Sequence, residues 1–344
     1  MSLVTPRLRA LIAVAAAIAG SFVIGGALLT AAGSDPVSGF DALVTGAFGS
    51  EYDVGETLVR ALPLAVIALG VAPALRAGVF TVGAEGQLAM GAIAATAVAV
   101  HVDGPVFVML LLPALAGAAA GGLWAVPPAV LRVRAGVNEI LSTLLLSYVA
   151  LALLNLSLRT WLSAGSTDAT LQSDPLPLDA MLPNLVDGTR LHWGMLALPI
   201  GALALAWWLR TPRGLAFDVL GENPSLARRV GIRPGRAIVQ AMVVGGIAAG
   251  LAAWLKVAGV DGTLYPSVAA GLGFSGILVA LLGGLRPLGI VVAALVFGAL
   301  SAGADGLQID TGVPASLATI LQGALLLLVA VAFEARRRGA PGLA

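Results

Sequence analysis

Cysteine is absent from the 344-residue chain, and charged side chains are scarce. Without cysteine there are no disulfides or thiolate metal sites, and the two histidines, His101 and His192, form no HExxH motif. Charged residues make up 11% of the sequence, against about 25% in a soluble domain, while 59% of the residues are hydrophobic. A soluble fold of this length cannot enclose so much apolar surface, so lipid must cover much of it.

Lysine is nearly absent as well, and this excludes one way of using ATP. The only lysine, Lys256, follows Leu255, so the GxxxxGKS/T loop that binds phosphates does not occur. A GxSxG nucleophile motif is missing too, and the net charge of +1 provides no basic surface for nucleic acid. We therefore predict that the chain is not an enzyme, holds no metal or cofactor, and uses ATP only through a separate ATPase subunit.

Ten apolar segments are candidates to cross a bilayer, which requires about 20 residues. They cover approximately residues 10–32, 57–75, 80–101, 105–131, 138–158, 192–209, 237–257, 265–284, 287–303 and 314–333. The first is longer than the roughly 7–15-residue apolar region of a secretion signal, so we expect an uncleaved helix. The predicted fold is an all-α polytopic membrane protein of about ten transmembrane helices, in a single domain over residues 1–344.

The distribution of positive charge predicts the orientation of these helices. With the N-terminus in the cytoplasm, fifteen of the 19 Lys and Arg residues fall on the inner side. The four on the outer side are Arg60, Arg159, Arg190 and Lys256. We therefore expect both termini in the cytoplasm, acidic external loops at 33–56 and 159–191, and a basic cytoplasmic loop at 210–236.

Ten helices divide into two halves of five with opposite orientation, an inverted repeat of the kind found in transporters. The third and eighth helices then correspond, and both are rich in glycine: Gly83, Gly86 and Gly91 in one, Gly271, Gly273, Gly276 and Gly283 in the other. Two further pairs have the spacing of close helix contacts, Gly117 with Gly121 and Gly246 with Gly250.

Polar residues begin the third helix, where Glu85 and Gln87 lie among glycines. A charge at mid-bilayer costs roughly 2.5–3.5 kcal/mol, so such a group must be paired or line an aqueous path. Two interpretations stay open. Either the helix is broken here and lines a substrate path, or Glu85 lies at the cytoplasmic interface and pairs with an arginine such as Arg76.

Polar residues also begin the fifth and eighth helices. Asn138 and Glu139 either face the path or act locally, Asn138 as the helix N-cap and Glu139 with the helix dipole. In the uncharged segment 271–284, glycines permit irregular backbone along a cavity. Phe274 offers a ring for stacking on a planar ligand, although a lone Phe is more often a packing residue, and Ser275 follows it.

These segments, in this order, resemble the permeases of ABC importers for nucleosides and simple sugars, within the branched-chain amino acid and ribose permease superfamily. The similar segments are Gly83–Gln87, Asn138–Leu144, Gly221–Pro224, Phe274–Ile277 and Pro287–Ile290, together with Gln322 near the last helix. The resemblance extends over about residues 75–335. Family members often have polar residues before Pro287, where this chain has Leu285 and Arg286.

The resemblance implies a transport function with several partners. A second permease, related or identical, would pair with this one, two cytosolic ATPases would drive it, and an extracytoplasmic lipoprotein would deliver substrate at the bacterial inner membrane. The path residues would be Glu85, Gln87, Asn138, Glu139, Phe274 and Ser275. Nucleosides are the first expected substrates, then simple sugars, then branched-chain amino acids.

The cytoplasmic loop would contain the coupling helix that docks on an ATPase. Its residues are Gly221, Glu222, Asn223, Pro224, Arg228, Arg229 and Gly231. We expect a short helix in its middle, with Asn223 as N-cap and Pro224 in the first turn. The alternative for this loop is a solvated basic segment. The alternative for the whole chain is an ion-coupled secondary transporter in which Glu85 or Glu139 carries protons.

Overall fold

The computed structural model describes residues 20, 23–163, 171–314, 316, 320 and 323, and the predicted segments 10–32 and 314–333 lie mostly outside them. Residues 23–31 are helical. The helices that follow are α1 Pro36–Phe48, α2 Glu51–Arg76, α3 Ala84–His101, α4 Val106–Trp124, α5 Val126–Ala135, α6 Glu139–Arg159, α7 Ala197–Leu209, α8 Pro212–Glu222, α9 Pro224–Arg229, α10 Pro234–Lys256, α11 Leu272–Leu282 and α12 Pro287–Thr311. In the described residues, β pairing is confined to isolated bridges, so the predicted all-α class is confirmed.

Five of the described helical segments are long and apolar enough to cross a membrane. They are Glu51–Arg76, Val106–Ala135, Glu139–Arg159, Pro234–Asp261 and Pro287–Thr311. A sixth span results if Trp193–Leu209 and Pro212–Glu222, which are bent by 74° at their junction, count as one. The chain is therefore built as a multi-pass membrane protein. The number of ten spans and the position of the termini stay predictions.

The chain divides into two compact units, Met1–Arg60 with Leu295–Ala344, and Ala61–Ala294. The boundaries fall inside α2 and α12. The prediction of a single permease domain stays a prediction.

The first unit contains a helix where the sequence predicts only an external loop. Asp35 caps α1 by accepting a hydrogen bond from the Ser38 backbone N–H at 3.0 Å, and the same bond lowers the pKa of the Asp35 carboxyl. Leu43 is buried with Leu29 and Leu307 in a small apolar cluster. The segment 33–56 is thus largely helical, because an N-cap and a buried apolar face outweigh its acidic composition.

An ion-pair group also belongs to this first unit. Arg60 pairs with Glu56 at 3.6 Å and with Asp305, and its Nη1 donates to the carbonyl of Ser301 at 3.0 Å. Within the first unit, Arg60 therefore links the first ten residues of α2 to the part of α12 that belongs to the same unit.

The second unit is centred on α3, which is buried over most of its length and packs against α4, α6, α10 and α11. Its closest helix contact is between α4 and α10. A Cβ on Gly250 would overlap the carbonyl oxygen of Gly117, and one on Gly246 would overlap that of Gly121. The predicted close contacts at these two glycine pairs are confirmed.

Candidate functional site

The Glu85 carboxylate, in the first turn of α3, caps the neighbouring helix α11. Its Oε1 accepts a hydrogen bond from the Gly271 N–H at 2.7 Å, and its Oε2 accepts one from Gly273 at 2.8 Å. Glu85 is only 4% exposed. The first N–H groups of a helix have no partner within that helix, and negative charge is favourable beside them. Glu85 therefore supplies both acceptors and charge at the start of α11.

The backbone before α11 allows this close approach. Gly271 has φ of 82° and Ala270 has φ of 36°, so the chain turns through the left-handed region immediately before the helix. A Cβ on Gly273 would overlap the backbone nitrogen of Glu85. The starts of α3 and α11 are consequently in direct backbone contact, and the predicted helix at 265–284 is shorter than expected because its first seven residues are non-helical.

Hydroxyl groups of α6 hold the start of α3 from another side. The Gly86 N–H donates to Ser147 Oγ at 3.2 Å, and the Val82 N–H donates to Thr143 Oγ1 at 3.3 Å. The N-cap of α3 is Gly83, which has no side chain to satisfy these donors. Thr143 and Ser147 were not predicted as site residues, although their spacing of four already indicated a shared helix face.

Arg76 has a partner other than Glu85. Its Nε and Nη2 donate to the two carboxylate oxygens of Asp218, both at 2.6 Å, and Nη1 donates to the Leu285 carbonyl at 3.3 Å. The interpretation that paired Glu85 with Arg76 is therefore wrong. Asp218 was missed because nothing in the sequence connects a carboxylate of α8 with the end of α2.

Three predicted path residues carry groups that a ligand can use. Gln87 is 3% exposed, and its carboxamide has no hydrogen-bond partner within the described residues. Phe274 and Ser275 belong to the first turns of α11, directly after the glycines that Glu85 binds, and Phe274 is 38% exposed. The structure thus brings Glu85 next to the segment of Phe274 and Ser275, whereas their contact with a substrate stays a prediction.

Asn138 and Glu139 have local partners at the turn between α5 and α6. Asn138 Oδ1 accepts from the N–H groups of Ile140 at 2.8 Å and Leu141 at 3.4 Å, so the predicted N-cap is confirmed. Glu139 pairs with Arg132 at 2.8 Å. A further role of either residue in a substrate path stays a prediction.

The basic segment 210–236 forms two consecutive helices, α8 and α9. Asn223 Oδ1 accepts from the N–H groups of Ser225 and Leu226, both at 3.0 Å, and Pro224 occupies the first turn. The predicted short helix with this cap is confirmed. Arg228 and Arg229 are exposed, and Arg228 lines an open cavity of about 640 Å³ with Gly231 and two further arginines, Arg233 and Arg236.

The segment 210–236 is also fixed to the end of α2. A Cβ on Gly221 would overlap the Arg76 carbonyl oxygen, and Asp218 binds the Arg76 side chain. One close glycine contact and one bidentate ion pair therefore join α8 to the end of α2.

Several apolar spans together with buried polar groups at helix starts are features that membrane transporters share. The chain belongs to the family described as branched-chain amino acid transport system / permease component, whose sequence model matches residues 54–330. This agrees with the resemblance found in the sequence.

Curated relatives extend the similarity to nearly the whole chain. A guanosine ABC transporter permease of Bacillus subtilis is 33% identical over 96% of both chains. A glucose ABC transporter permease of Haloferax volcanii is 35% identical, covering 94% of this chain and 91% of its own. A nucleoside ABC transporter permease of Lactococcus lactis is 30% identical, covering 92% and 90%. The chain is a permease subunit of an ABC transporter.

Proposed function

We propose that this permease subunit imports a nucleoside across the bacterial inner membrane. The observation that carries the proposal is the similarity to the guanosine permease over 96% of both chains, together with the nucleoside permease at 30% identity. A simple sugar is the second candidate, because the glucose permease is 35% identical. A branched-chain amino acid is supported only by the family description.

The substrate path is proposed to run beside the contact between α3 and α11. Gln87 and Ser275 would give and accept directional hydrogen bonds, and Phe274 would stack on a nucleobase or sugar face. The carboxamide of Gln87, which has no hydrogen-bond partner among the described residues, and the exposed ring of Phe274 support this assignment. Glu85 would act by fixing the first turn of α11. Glu85, Asn138 and Glu139 already have partners within the protein, so each would have to exchange its partner to contact the substrate directly.

The coupling segment is proposed to be Gly221–Gly231, with Glu222, Asn223, Pro224, Arg228 and Arg229 at the ATPase surface. Its support is physical: α9 is capped, exposed and basic, and α8 is joined to α2 through Arg76 and Asp218. The full assembly would contain two cytosolic ATPases, a second permease that is a paralogue or a second copy, and an extracytoplasmic binding lipoprotein. Ten spans in an inverted five-plus-five repeat, with both termini in the cytoplasm, would place α9 on the ATPase side.

Uptake into proteoliposomes tests the function. The chain is reconstituted with its partner permease, ATPases and binding protein, and radiolabelled guanosine uptake is measured with and without ATP inside. We expect ATP-dependent uptake that unlabelled nucleosides inhibit. Inhibition by glucose but not by nucleosides would show that the transported substrate is a sugar. Uptake by the purified chain alone, driven by a pH gradient, would contradict the ABC mechanism and favour proton transfer through Glu85 or Glu139.

Co-purification tests the coupling segment separately. Replacing Arg228 and Arg229 by Ala removes two exposed cations of α9, and we expect less ATPase bound per permease and slower uptake. The matched control is Arg134→Ala, which removes an exposed arginine from the last turn of α5. Equal ATPase binding by both variants would contradict the coupling assignment.

A further inference from the structure

An apolar groove of about 670 Å³ lies in the second unit between α2, α7, α8 and α10. Its walls are formed mainly by aliphatic and aromatic side chains, and by small residues on α7 and α10 such as Gly201, Ala204 and Ala248. The nucleoside proposed as substrate is polar and would leave its hydrogen-bonding groups unpaired in such a groove. The groove is therefore suited to a hydrocarbon chain rather than to the transported molecule.

The charged and amide side chains of the groove come from residues at one end of these helices, whereas the indole N–H of Trp254 lies at the other end of α10. Arg213 lies in the first turn of α8, and Gln240 lies in the first two turns of α10. Trp207 and Trp208 belong to the last turn of α7, which precedes Arg213 in the sequence, and both line the groove. Tryptophan is enriched where a membrane protein meets the polar boundary of the bilayer. This end of the groove thus has the composition of a headgroup region.

Arg213 is an exposed cation without an ion-pair partner among the residues that the structure describes. Because α8 leaves α7 at 74°, its first turn closes one end of the groove, and Arg213 and Phe217 become part of the lining. A cation at the end of an apolar groove complements an anionic headgroup joined to an acyl chain. A zwitterionic lipid also offers a phosphate, but its ammonium group cancels the negative charge of the headgroup, and an apolar transmembrane helix would offer Arg213 no anion at all.

The groove also has the length of an acyl chain. It follows α7 from Ala197 to Trp208, and at about 1.5 Å per residue this path is roughly 17 Å long. One leaflet of the hydrocarbon core is about 15 Å thick. A chain that starts near Arg213 could therefore extend along the whole groove without leaving the hydrocarbon layer.

We propose that this groove binds one anionic phospholipid, with the phosphate at Arg213 and an acyl chain between α2, α7 and α10. In the proposed orientation, on which the choice of leaflet depends, the lipid belongs to the cytoplasmic leaflet. Asp218, which holds Arg76, lies five residues beyond Arg213 in α8. The lipid therefore supports the same helix that connects the coupling segment with α2, and its loss slows ATP-driven transport.

Native mass spectrometry of the purified full-length chain tests the headgroup contact. The protein is titrated with phosphatidylglycerol or phosphatidylcholine, and lipid adducts are counted. We expect a preference for phosphatidylglycerol, roughly fivefold weaker binding in Arg213→Ala, and retained binding in Arg213→Lys. Arg210→Ala is the matched control, because Arg210 is an exposed cation three residues away that does not line the groove. Its affinity should stay within about twofold of the wild type.

A second pair of variants tests the acyl-chain position. Ala204→Phe fills the groove, whereas Leu203→Phe places the same ring at the adjacent position of α7, which is 70% exposed and does not line the groove. We expect at least about tenfold weaker lipid binding in Ala204→Phe only, because each displaced methylene contributes to affinity. Size-exclusion profiles and thermal midpoints of both variants establish that they fold.

Three results would overturn the proposal. They are equal affinity for the two lipids, equal effects of Arg213→Ala and Arg210→Ala, and unchanged lipid binding in a folded Ala204→Phe variant. A photo-crosslinker at position 204 that joins two permease chains and no lipid would overturn it as well, since the groove would then be an interface between subunits. None of these results depends on whether the transported substrate is a nucleoside.

Discussion

Removal of the Glu85 carboxylate is the most informative single perturbation of this protein. In Glu85→Ala the N–H groups of the half-buried Gly271 and the buried Gly273 lose their acceptors. A buried donor left unsatisfied costs about 1–3 kcal/mol, and the half-buried Gly271 donor costs less than the buried Gly273 donor, so the two together cost about 2–5 kcal/mol. The lost interaction of the negative charge with the α11 dipole is smaller, about 0.3–1 kcal/mol.

We expect the Glu85→Ala protein, in detergent or nanodiscs, to unfold at a lower thermal midpoint, measured by intrinsic tryptophan fluorescence. By the scaling for large domains, about 2–5 kcal/mol corresponds to roughly 4–10 °C. Glu85→Gln keeps one carbonyl oxygen and should lose about half as much. Glu51→Ala is the control, because Glu51 is an exposed carboxylate in the first turn of α2, and its midpoint should change by less than about 2 °C.

ATP-driven uptake distinguishes the roles proposed for Glu85. If Glu85 fixes α11, then Glu85→Gln should lower the maximal uptake rate in proportion to its loss of stability and leave the competition profile of nucleosides unchanged. A folded Glu85→Ala variant with wild-type thermal midpoint would refute the capping argument. A variant with wild-type stability but altered competition among nucleosides would instead assign Glu85 to direct substrate contact.

Two further predictions concern other parts of the second unit. Gly250→Ala should destabilise the protein by about 1–3 kcal/mol, because the new methyl group overlaps the Gly117 carbonyl. Gly104→Ala is the control and should not destabilise it, because the nearest side-chain atoms lie 3.5 Å from the new methyl group. Equal thermal midpoints of the two variants would contradict the close α4–α10 contact. A double-mutant cycle on Arg76 and Asp218, measured from denaturation midpoints, should give a coupling energy of roughly 1–2 kcal/mol. If the stability losses of the two single variants simply add up in the double variant, the bidentate pair does not stabilise α8.

Local features of this fold follow from the sequence because their partners are near in the chain. Asn223 and Asn138 cap helices through N–H groups two and three residues away, so an Asn before a helical segment was sufficient to predict both contacts. The glycine pairs of α4 and α10 were predictable from their spacing alone, since glycines four residues apart share one helix face.

Long-range partners of the candidate site could not be predicted in this way. Gly271 lies 186 residues from Glu85, and Asp218 lies 142 residues from Arg76. Only the fold decides which of many helix starts or carboxylates meets a given side chain. The sequence therefore indicated that Glu85 requires a partner, because a buried charge is costly, but it suggested an arginine where the partners are the backbone N–H groups of Gly271 and Gly273.

Element boundaries were least predictable where composition and local capping disagree. The acidic segment 33–56 was predicted as a loop, yet Asp35 and Pro36 begin a helix there. The reverse occurs before α11, where an apolar segment was predicted to be helical from residue 265. Ala270 and Gly271 adopt left-handed backbone angles and delay the helix to Leu272.

Cysteine labelling tests the central claim, that α9 faces the ATPases while the loop 159–191 faces outwards. The chain contains no cysteine, so single variants Ser225→Cys in α9 and Asp187→Cys in that loop give no background. Both positions are exposed. In intact cells, a membrane-impermeant maleimide should label Asp187→Cys and should label Ser225→Cys only after the membrane is permeabilised. Labelling of Ser225→Cys in intact cells would contradict a coupling helix on the cytoplasmic side.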